Sequence, residues 1–226
     1  MNSYDYIKEN IENILKRIHV LNSKVRLVAV SKTFDVKAVE TAYFYGLREF
    51  GESRIQEAET KVSVLKDKLT GIKWHMIGHL QTNKAKKAAA LFDMIQSVDS
   101  FRVAEKISRA FAPGVKEILL EIKVSDEKNK SGINPDAIAE EAYAISALPN
   151  VRIKGLMTIA PYFENQDEAR PFFRKARVVF ESLKKAGAEG IDMEILSMGM
   201  SGDFEAAIDE GANMVRVGTG IFGKRQ

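Results

Sequence analysis

Apolar positions along the chain follow two alternating spacings, one helical and one extended. From Tyr4 to Leu21 they recur every three or four residues among charges, which predicts an amphipathic helix. Val25 to Ser31 is a short apolar run rich in β-branched residues, as in a buried strand. Asp35 to Tyr45 returns to helical spacing, with Asp35 as its predicted N-cap. The chain therefore opens with a helix, a strand and a second helix.

The same strand-then-helix unit recurs along the rest of the chain. Further strands are predicted at 47–51, 73–77, 94–98, 117–124, 152–158, 194–197 and 213–217. Helices are predicted at 54–68, 81–91, 101–111, 135–147 and 166–186, with another that opens near Gly202 or Asp203. Such alternation favours right-handed crossovers and a parallel sheet. We predict a single (β/α)8 TIM barrel with an extra N-terminal helix, one domain over residues 1–226. A doubly wound open sheet is the competing α/β fold.

Composition narrows the class of protein without changing this fold. The 226 residues are 45% hydrophobic and 29% charged, which is ordinary for a globular protein. The chain has no cysteine, which excludes disulfides and thiolate metal sites and favours a cytoplasmic location. The 3 histidines lack metal-binding spacing, so we expect no metal. A net charge of +3 does not imply nucleic acid, and no apolar run is long enough for a membrane span.

Lys32 is the first candidate for chemistry, because functional groups of a parallel barrel lie at the carboxyl ends of its strands. Strand alternation puts Lys32 on the face of Val28 and Val30. If that face is the barrel interior, the ammonium is partly desolvated. Desolvation favours the neutral amine, the form that attacks an aldehyde to make a Schiff base. The alternative is a lysine that extends from the strand end to solvent.

Arg216 is the second candidate, because the last strand carries its guanidinium into an apolar region. It shares a face with Met214 and Gly218. A buried arginine requires groups that accept its hydrogen bonds. Two explanations stay open: a structural ion pair with Glu194 or Asp192, and contact with a ligand.

Hydroxyls and small residues cluster at the ends of the last two predicted strands. The hydroxyls of Ser201 and Thr219 and the amides near Gly202, Gly218 and Gly220 are hydrogen-bond donors. Many barrels bind phosphate at this position, so we favour a phosphate site. The alternative is that the glycines only turn the chain and that Ser201 caps a helix.

Two other patterns are set aside or left open. Residues 218–223 match the dinucleotide fingerprint, but only three residues follow, so we expect neither its helix nor its second strand. His79 ends the third predicted strand, where it is a candidate ligand contact or base. A purely structural histidine is the alternative.

Short segments spread in order over nearly the whole chain resemble one known family. They are Ala29-Val30-Ser31-Lys32-Thr33, Phe50-Gly51-Glu52, residues 74–84, Lys130-Ser131-Gly132, Gly155-Leu156-Met157-Thr158, residues 197–204 and residues 215–223. Together they resemble the pyridoxal phosphate homeostasis proteins (the YggS/PROSC type), whose barrel is similar to the N-terminal domain of alanine racemase. The resemblance implies a protein that holds pyridoxal 5′-phosphate (PLP) as a lysine aldimine.

The same resemblance implies roles for particular residues. Lys32 would form the Schiff base, and Arg216 would face the pyridine nitrogen. The phosphate would be held by Ser201, Gly218 and Thr219. Two further cofactor contacts are implied, Ser53 and Met198. The family usually has asparagine at position 53, so a ring contact made by Ser53 would be shorter or lost.

Carrier and enzyme are both open under this resemblance. A guanidinium cannot accept a pyridinium proton, so the ring nitrogen would stay unprotonated and the ring would be a poorer electron sink. Racemases of this fold also take a second base from another domain, which we do not expect here. We therefore favour storage, buffering or delivery of PLP by a monomer, with PLP-dependent apoenzymes as partners. The first alternative is a weak amino-acid racemase or another PLP enzyme, with His79 or a barrel residue as base. The second, from outside this family, is a barrel that acts on a phosphorylated sugar with Lys32 as an aldolase-type lysine.

Overall fold

The structure, a computed structural model, describes residues 4–125, 127 and 131–224. Lys130 of the Lys130-Ser131-Gly132 segment lies outside the described residues. Eight parallel strands close into a barrel in chain order. They are β1 (Arg26–Val30), β2 (Glu49–Glu52), β3 (Lys73–Met76), β4 (Met94–Val98), β5 (Lys116–Glu121), β6 (Val151–Met157), β7 (Ile191–Ser197) and β8 (Met214–Val217). Because β1 pairs directly with β8, the barrel is confirmed and the open sheet is excluded.

Helices connect the strands on the outside of the barrel. They are α1 (Asp5–Asn22), α2 (Val36–Phe44), α3 (Ile55–Leu65), α4 (Ala85–Leu91), α5 (Phe101–Ala110), α6 (Ile138–Ser146), α7 (Arg170–Ala186), α8 (Phe204–Asp209) and α9 (Thr219–Phe222). The predicted cap of α2 is confirmed, because the Asp35 carboxylate accepts a hydrogen bond from the amide of Ala38 at 2.9 Å.

Strand alternation divides the apolar residues into two layers. One face of the strands packs against the helices. The other face fills the barrel with a small cluster of buried side chains: Val28, Met94, Leu119, Met157, Ile195 and Met214. Val28 and Met214 are on the faces that the sequence assigned to Lys32 and Arg216. Those two faces therefore point into the barrel.

The structure differs from the sequence prediction at several element boundaries and at the end of the chain. β7 begins at Ile191, earlier than expected, because Ile191 already pairs with Ile153 of neighbouring β6. Asp192 and Glu194 both pair with Lys154 of β6. β5 ends at Glu121, because the next residue bridges to Ile133 of the following loop. The one-turn helix α9 follows β8, where no helix was expected.

α1 lies across the end of the chain and covers α9. The Tyr6 hydroxyl donates to the carbonyl of Phe222 at 2.8 Å, and the Asn10 amide donates to that of Ile221 at 2.9 Å. These bonds satisfy carbonyls that a one-turn helix leaves unpaired. The apolar stripe of α1, from Ile7 to Ile18, is buried against the same elements. Among the described residues, no helix is both long and apolar enough to cross a membrane.

Candidate cofactor-binding site

A cavity of about 300 Å³ opens at the carboxyl ends of the strands. This volume is at the lower end of the usual range for small-molecule sites. The predicted site residues that line it are Lys32, Ser53, Ser201, Arg216, Gly218 and Thr219. They come from β1, β2, β7 and β8 or from the loops that follow them. The barrel therefore brings together side chains that lie far apart in the sequence.

Lys32 occupies the second position of a tight turn at the end of β1. The amide of Phe34 donates to the carbonyl of Ser31 at 3.1 Å and closes the turn. Thr33 has a φ of 71°, which a β-branched residue adopts only under strain. Its amide donates to the Glu57 carboxylate of α3 at 2.8 Å. Lys32 itself is half-buried and lines the cavity, as the alternation of β1 predicted.

A buried ion pair lies directly behind this turn. Lys61 of α3 donates to the Glu52 carboxylate and to the carbonyl of Ser31, both at 2.6 Å. The Ser31 hydroxyl donates to the same carboxylate oxygen at 2.6 Å. Burial raises the pKa of Glu52 above its usual value, although Lys61 and Ser31 oppose that shift. The carbonyl that precedes Lys32 is thus held by a charged group.

Arg216 is 3% exposed and stands at the base of the cavity. It donates to the Ser197 hydroxyl at 2.7 Å and to the carbonyl of Thr158 at 2.8 Å. The ion pair with Glu194 or Asp192 is not formed, because those carboxylates pair with Lys154. Burial lowers the pKa of Arg216 to about 10, so it remains cationic at neutral pH. Its two bonds use two of the five N–H groups of a guanidinium.

A chain of hydrogen bonds supports Arg216 from inside the barrel. Ser197, which accepts from Arg216, donates to the Gln96 carbonyl oxygen at 2.7 Å. The Gln96 amide nitrogen lies 3.0 Å from His75 Nδ1, which must therefore accept. His75 Nε2 lies 3.4 Å from Glu49 at the far end of the barrel, longer than a good hydrogen bond. Each donor in this series of hydrogen bonds points away from Arg216, so Ser197 presents an acceptor to the guanidinium and fixes its orientation.

Backbone amides converge on the Ser201 hydroxyl at the ends of β7 and β8. The amides of Gly218 and Gly220 donate to Ser201 Oγ at 3.2 and 3.1 Å. Ser201 does not cap α8, whose first residue is preceded by Asp203. With its oxygen accepting two bonds, the Ser201 hydroxyl hydrogen is available to an acceptor in the cavity. Exposed Thr219 begins α9 beside it.

Gly199 makes the turn from β7 into this cluster possible. It has a φ of 91°, and a Cβ there would lie 2.6 Å from Ala207 Cβ and 2.9 Å from Phe204 Cα. Only glycine fits both the conformation and the space. Its carbonyl accepts from the amide of Arg216 at 3.0 Å. Gly199 therefore links the position of Ser201 to that of β8.

An apolar rim covers one side of the cavity. Ile159, Tyr162 and Phe163, after β6, and Met200, after β7, all line it. Phe163 stacks on Phe172 with ring centroids 5.7 Å apart, whereas Tyr162 is 87% exposed. This rim offers apolar contact to a flat ring, and Tyr162 marks the side that is open to solvent.

Two of the predicted contacts are not among the residues that line the cavity. Met198 is fully buried and packs in the layer between the barrel and the helices. His79 lies in a neighbouring groove, where its Nδ1 is 3.1 Å from the Asp99 carboxylate. Ser53 lines both the groove and the cavity.

The buried carboxyl of Glu121 ends β5 near the base of the cavity. One of its oxygens accepts from the Ser131 hydroxyl at 3.2 Å, and the other has no hydrogen-bond partner among the described residues. Burial, together with the charge of Asp99, raises the pKa of Glu121, and Arg216 and His79 only partly offset this. It was not singled out from the sequence.

Glu57 and Lys61 are the main site residues that the sequence reasoning missed. The buried positions of α3 are Ile55, Ala58, Lys61 and Leu65. A lysine on the apolar stripe of an amphipathic helix is a signal that could have identified it, because a buried ammonium needs a partner. Glu57 gave no such signal, since its role depends on the conformation of Thr33.

The sequence of the chain is similar to those of known proteins. Residues 3–226 match the family described as alanine racemase, N-terminal domain. A pyridoxal phosphate homeostasis protein of Aquifex aeolicus (strain VF5) is 39% identical over 222 residues, covering 97% of this chain and 96% of the relative. That of Escherichia coli (strain K12) is 37% identical over 225 residues, covering 97% and 94%. The chain belongs to the pyridoxal phosphate homeostasis protein family.

Solved structures with a similar fold include a PLP-bound protein and an alanine racemase. PipY of Synechococcus elongatus PCC7942, with PLP bound, has a TM-score of 0.87 and 38% identity, covering 96% of this chain and 100% of PipY. Alanine racemase of Clostridium difficile 630 has a TM-score of 0.75 at 16% identity, covering 96% of this chain and 60% of the racemase. The second likeness shows the fold alone. The family resemblance drawn from the sequence motifs is confirmed.

Proposed function

We propose that this chain binds PLP in the cavity at the barrel mouth and acts in PLP homeostasis, by storing, buffering or delivering it. One observation carries the proposal: a lysine amine, a buried guanidinium and a hydroxyl with convergent amides border one cavity of about 300 Å³. When bound, PLP supplies a phosphate and an aldehyde, which a lysine amine attacks with loss of water. The donor set fits both ends of that molecule.

Each residue has a role that follows from its surroundings. Lys32 provides the amine, because it is half-buried and lines the cavity at the end of β1. Arg216 would donate to the ring nitrogen and could not take up its proton, which would keep the ring a poor electron sink. The phosphate would be held by Ser201, Gly218 and Thr219. Ser53, directly after β2, would reach the ring less far than the asparagine usual in the family.

The proposal extends to delivery of PLP by a monomer to PLP-dependent apoenzymes in the cytoplasm. The cavity opens beside the exposed ring of Tyr162, which leaves a route for exchange. α1 already buries its isoleucines against its own barrel, which supports a monomer. The absence of cysteine from the sequence supports a reducing compartment.

The first test compares PLP retention by the wild type and by Lys32→Ala. We expect the wild type to retain PLP through gel filtration with an absorption band that Lys32→Ala abolishes. The matched control is Lys37→Ala, an exposed lysine of α2, which should behave as the wild type. A wild-type protein that takes up no PLP would contradict the proposed function.

A second measurement separates carrier from racemase. The PLP-loaded protein is incubated with L-alanine in deuterated water, and D-alanine and loss of the α-proton are followed. For a carrier we expect neither to exceed the rate with free PLP. Turnover that requires Lys32 would show an enzyme instead.

A further inference from the structure

The turn that carries Lys32 is held in a conformation that its own sequence disfavours. Thr33 is the only non-glycine residue with positive φ among the described residues, at 71°. Threonine is β-branched, and such a residue in this region costs free energy that the surroundings must supply. This strain lies directly after the residue proposed to bind PLP, so other groups must hold the turn in place.

The groups that impose the turn come from one face of α3. Glu57 and Lys61 are four residues apart, so their side chains leave the helix in the same direction. Glu57 accepts from the amide of Thr33 at 2.8 Å, and Lys61 donates to the carbonyl of Ser31 at 2.6 Å. The two charged side chains therefore hold the peptide groups on both sides of Lys32.

The buried ion pair of Lys61 and Glu52, behind the turn, is a poor way to stabilise the fold. Lys61 and Glu52 are 4% and 0% exposed, and one oxygen of Glu52 has no hydrogen-bond partner among the described residues. Apolar residues of similar volume often stabilise a fold as well as, or better than, a buried ion pair. Because Lys61 of this pair donates to the peptide group that precedes Lys32, the pair points to a role in the geometry of the turn.

We propose that Glu57 and Lys61 are positioning residues for Lys32, holding the strained turn that directs its amine into the cavity, with Glu52 as the counter-ion of Lys61. Neither Glu57 nor Lys61 lines the cavity. Both act through the backbone on either side of Lys32. The inference rests on the proposed function, because it concerns the amine that PLP would meet.

The experiment compares two ligands that differ only at the reacting group. PLP carries an aldehyde, whereas pyridoxine 5′-phosphate carries an alcohol and cannot react with an amine. A positioning role affects only the first ligand. Damage to the cavity affects both.

The variants are chosen to keep the fold. Glu52→Met/Lys61→Met replaces the pair with apolar side chains, so no buried charge is left alone. Glu57→Ala removes the acceptor of Thr33, and Glu57→Gln keeps one. Glu59→Ala is the matched control on the same helix, because Glu59 pairs with Lys87 at the surface, away from the turn.

For the double variant and for Glu57→Ala we expect PLP affinity and attachment rate to fall by about tenfold or more, because a misplaced amine loses its orientation. Affinity for pyridoxine 5′-phosphate should stay within about twofold, as for a change remote from the ligand. Glu57→Gln and Glu59→Ala should resemble the wild type. The thermal midpoint of the double variant without ligand should be unchanged or raised.

A compensating change sharpens the test. Glycine adopts positive φ without strain, so Thr33→Gly added to Glu57→Ala should recover most of the lost PLP affinity. Equal losses for both ligands, or no loss for either, would overturn the inference. A wild type that binds neither ligand would mean that the proposed function itself fails. If the wild type binds both ligands and the variants bind them equally well, the proposed function holds and only the positioning role is overturned.

Discussion

Two walls of the cavity are built by different means. The lysine wall is the turn 31–34, which Glu52, Glu57 and Lys61 support from behind. The phosphate wall is Ser201 with residues 218–220, which the chain reaches from β7 through Gly199. At the lysine wall, charged side chains hold a strained backbone in place. At the phosphate wall, neutral backbone amides converge on a hydroxyl, and Gly199 supplies the unusual conformation without strain.

The difference fits the role proposed for each wall. Binding a phosphate requires donors at suitable distances, and an amide cluster fixed by its own turn provides them. Reaction with an aldehyde requires one amine in one orientation, which a flexible lysine does not adopt unaided. The phosphate wall should therefore be sensitive to added volume, and the lysine wall to loss of charge.

The largest expected effect is on the phosphate wall, from Gly199→Ala. The new Cβ would meet Ala207 and the backbone of Phe204, and its φ of 91° is unfavourable for alanine. We expect the free energy of unfolding in urea to fall by about 2–4 kcal/mol. Gly46→Ala is the control for conformation alone, because Gly46 has a φ of 96° but nothing within 4 Å. It should lose only about 1 kcal/mol. Equal losses in the two variants would contradict the packing explanation.

A smaller effect is expected from Thr219→Ala. If its hydroxyl donates to the phosphate, the variant should retain PLP less well by about 1–3 kcal/mol, measured by dilution and dialysis. The stability of the ligand-free protein should not change, because Thr219 is exposed. Thr60→Ala, an exposed threonine of α3 that bonds its own helix, is the matched control. Unchanged retention in Thr219→Ala would remove that residue from the phosphate wall.

The smallest effect concerns Glu121, a buried carboxyl that, unlike Glu52, has no lysine partner among the described residues. Because burial and Asp99 raise its pKa, the folded state favours the protonated form, even with Arg216, His79 and Ser131 nearby. The stability it contributes is full below the unfolded pKa and is lost as pH rises through the folded pKa. Glu121→Gln should therefore stabilise the protein by about 1 kcal/mol at pH 7.5 and much less at pH 4.

The measurement for this variant is urea unfolding at both pH values. Glu117→Gln, an exposed position on the same strand, is its control and should change little. A gain for Glu121→Gln that is equal at the two pH values would contradict the raised pKa.

The two walls also differ in how far the sequence revealed them. Hydrophobic periodicity predicted the barrel, and strand alternation put Lys32 and Arg216 on its inner face, because both depend on local spacing. The glycines and hydroxyls near Ser201 were visible as a cluster. The ion-pair alternative for Arg216 was wrong, since cross-strand pairing with Lys154 could not be read from one strand.

The supports of Lys32 depend on contacts that no local pattern encodes. Glu57 and Thr33 are 24 residues apart, and Lys61 and Ser31 are 30 apart. Nothing in the residue types predicts a positive φ at a threonine. The family resemblance implied Met198 as a cofactor contact, and its side chain packs in the layer toward the helices.

The most direct test of the account locates the covalent attachment of PLP. The protein is mixed with one equivalent of PLP, reduced with borohydride, digested and analysed by mass spectrometry. We expect one adduct per chain on the peptide that contains Lys32, and its loss when inorganic phosphate or pyridoxine 5′-phosphate competes for the phosphate wall. Adducts spread over exposed lysines, with none on Lys32, would contradict the account.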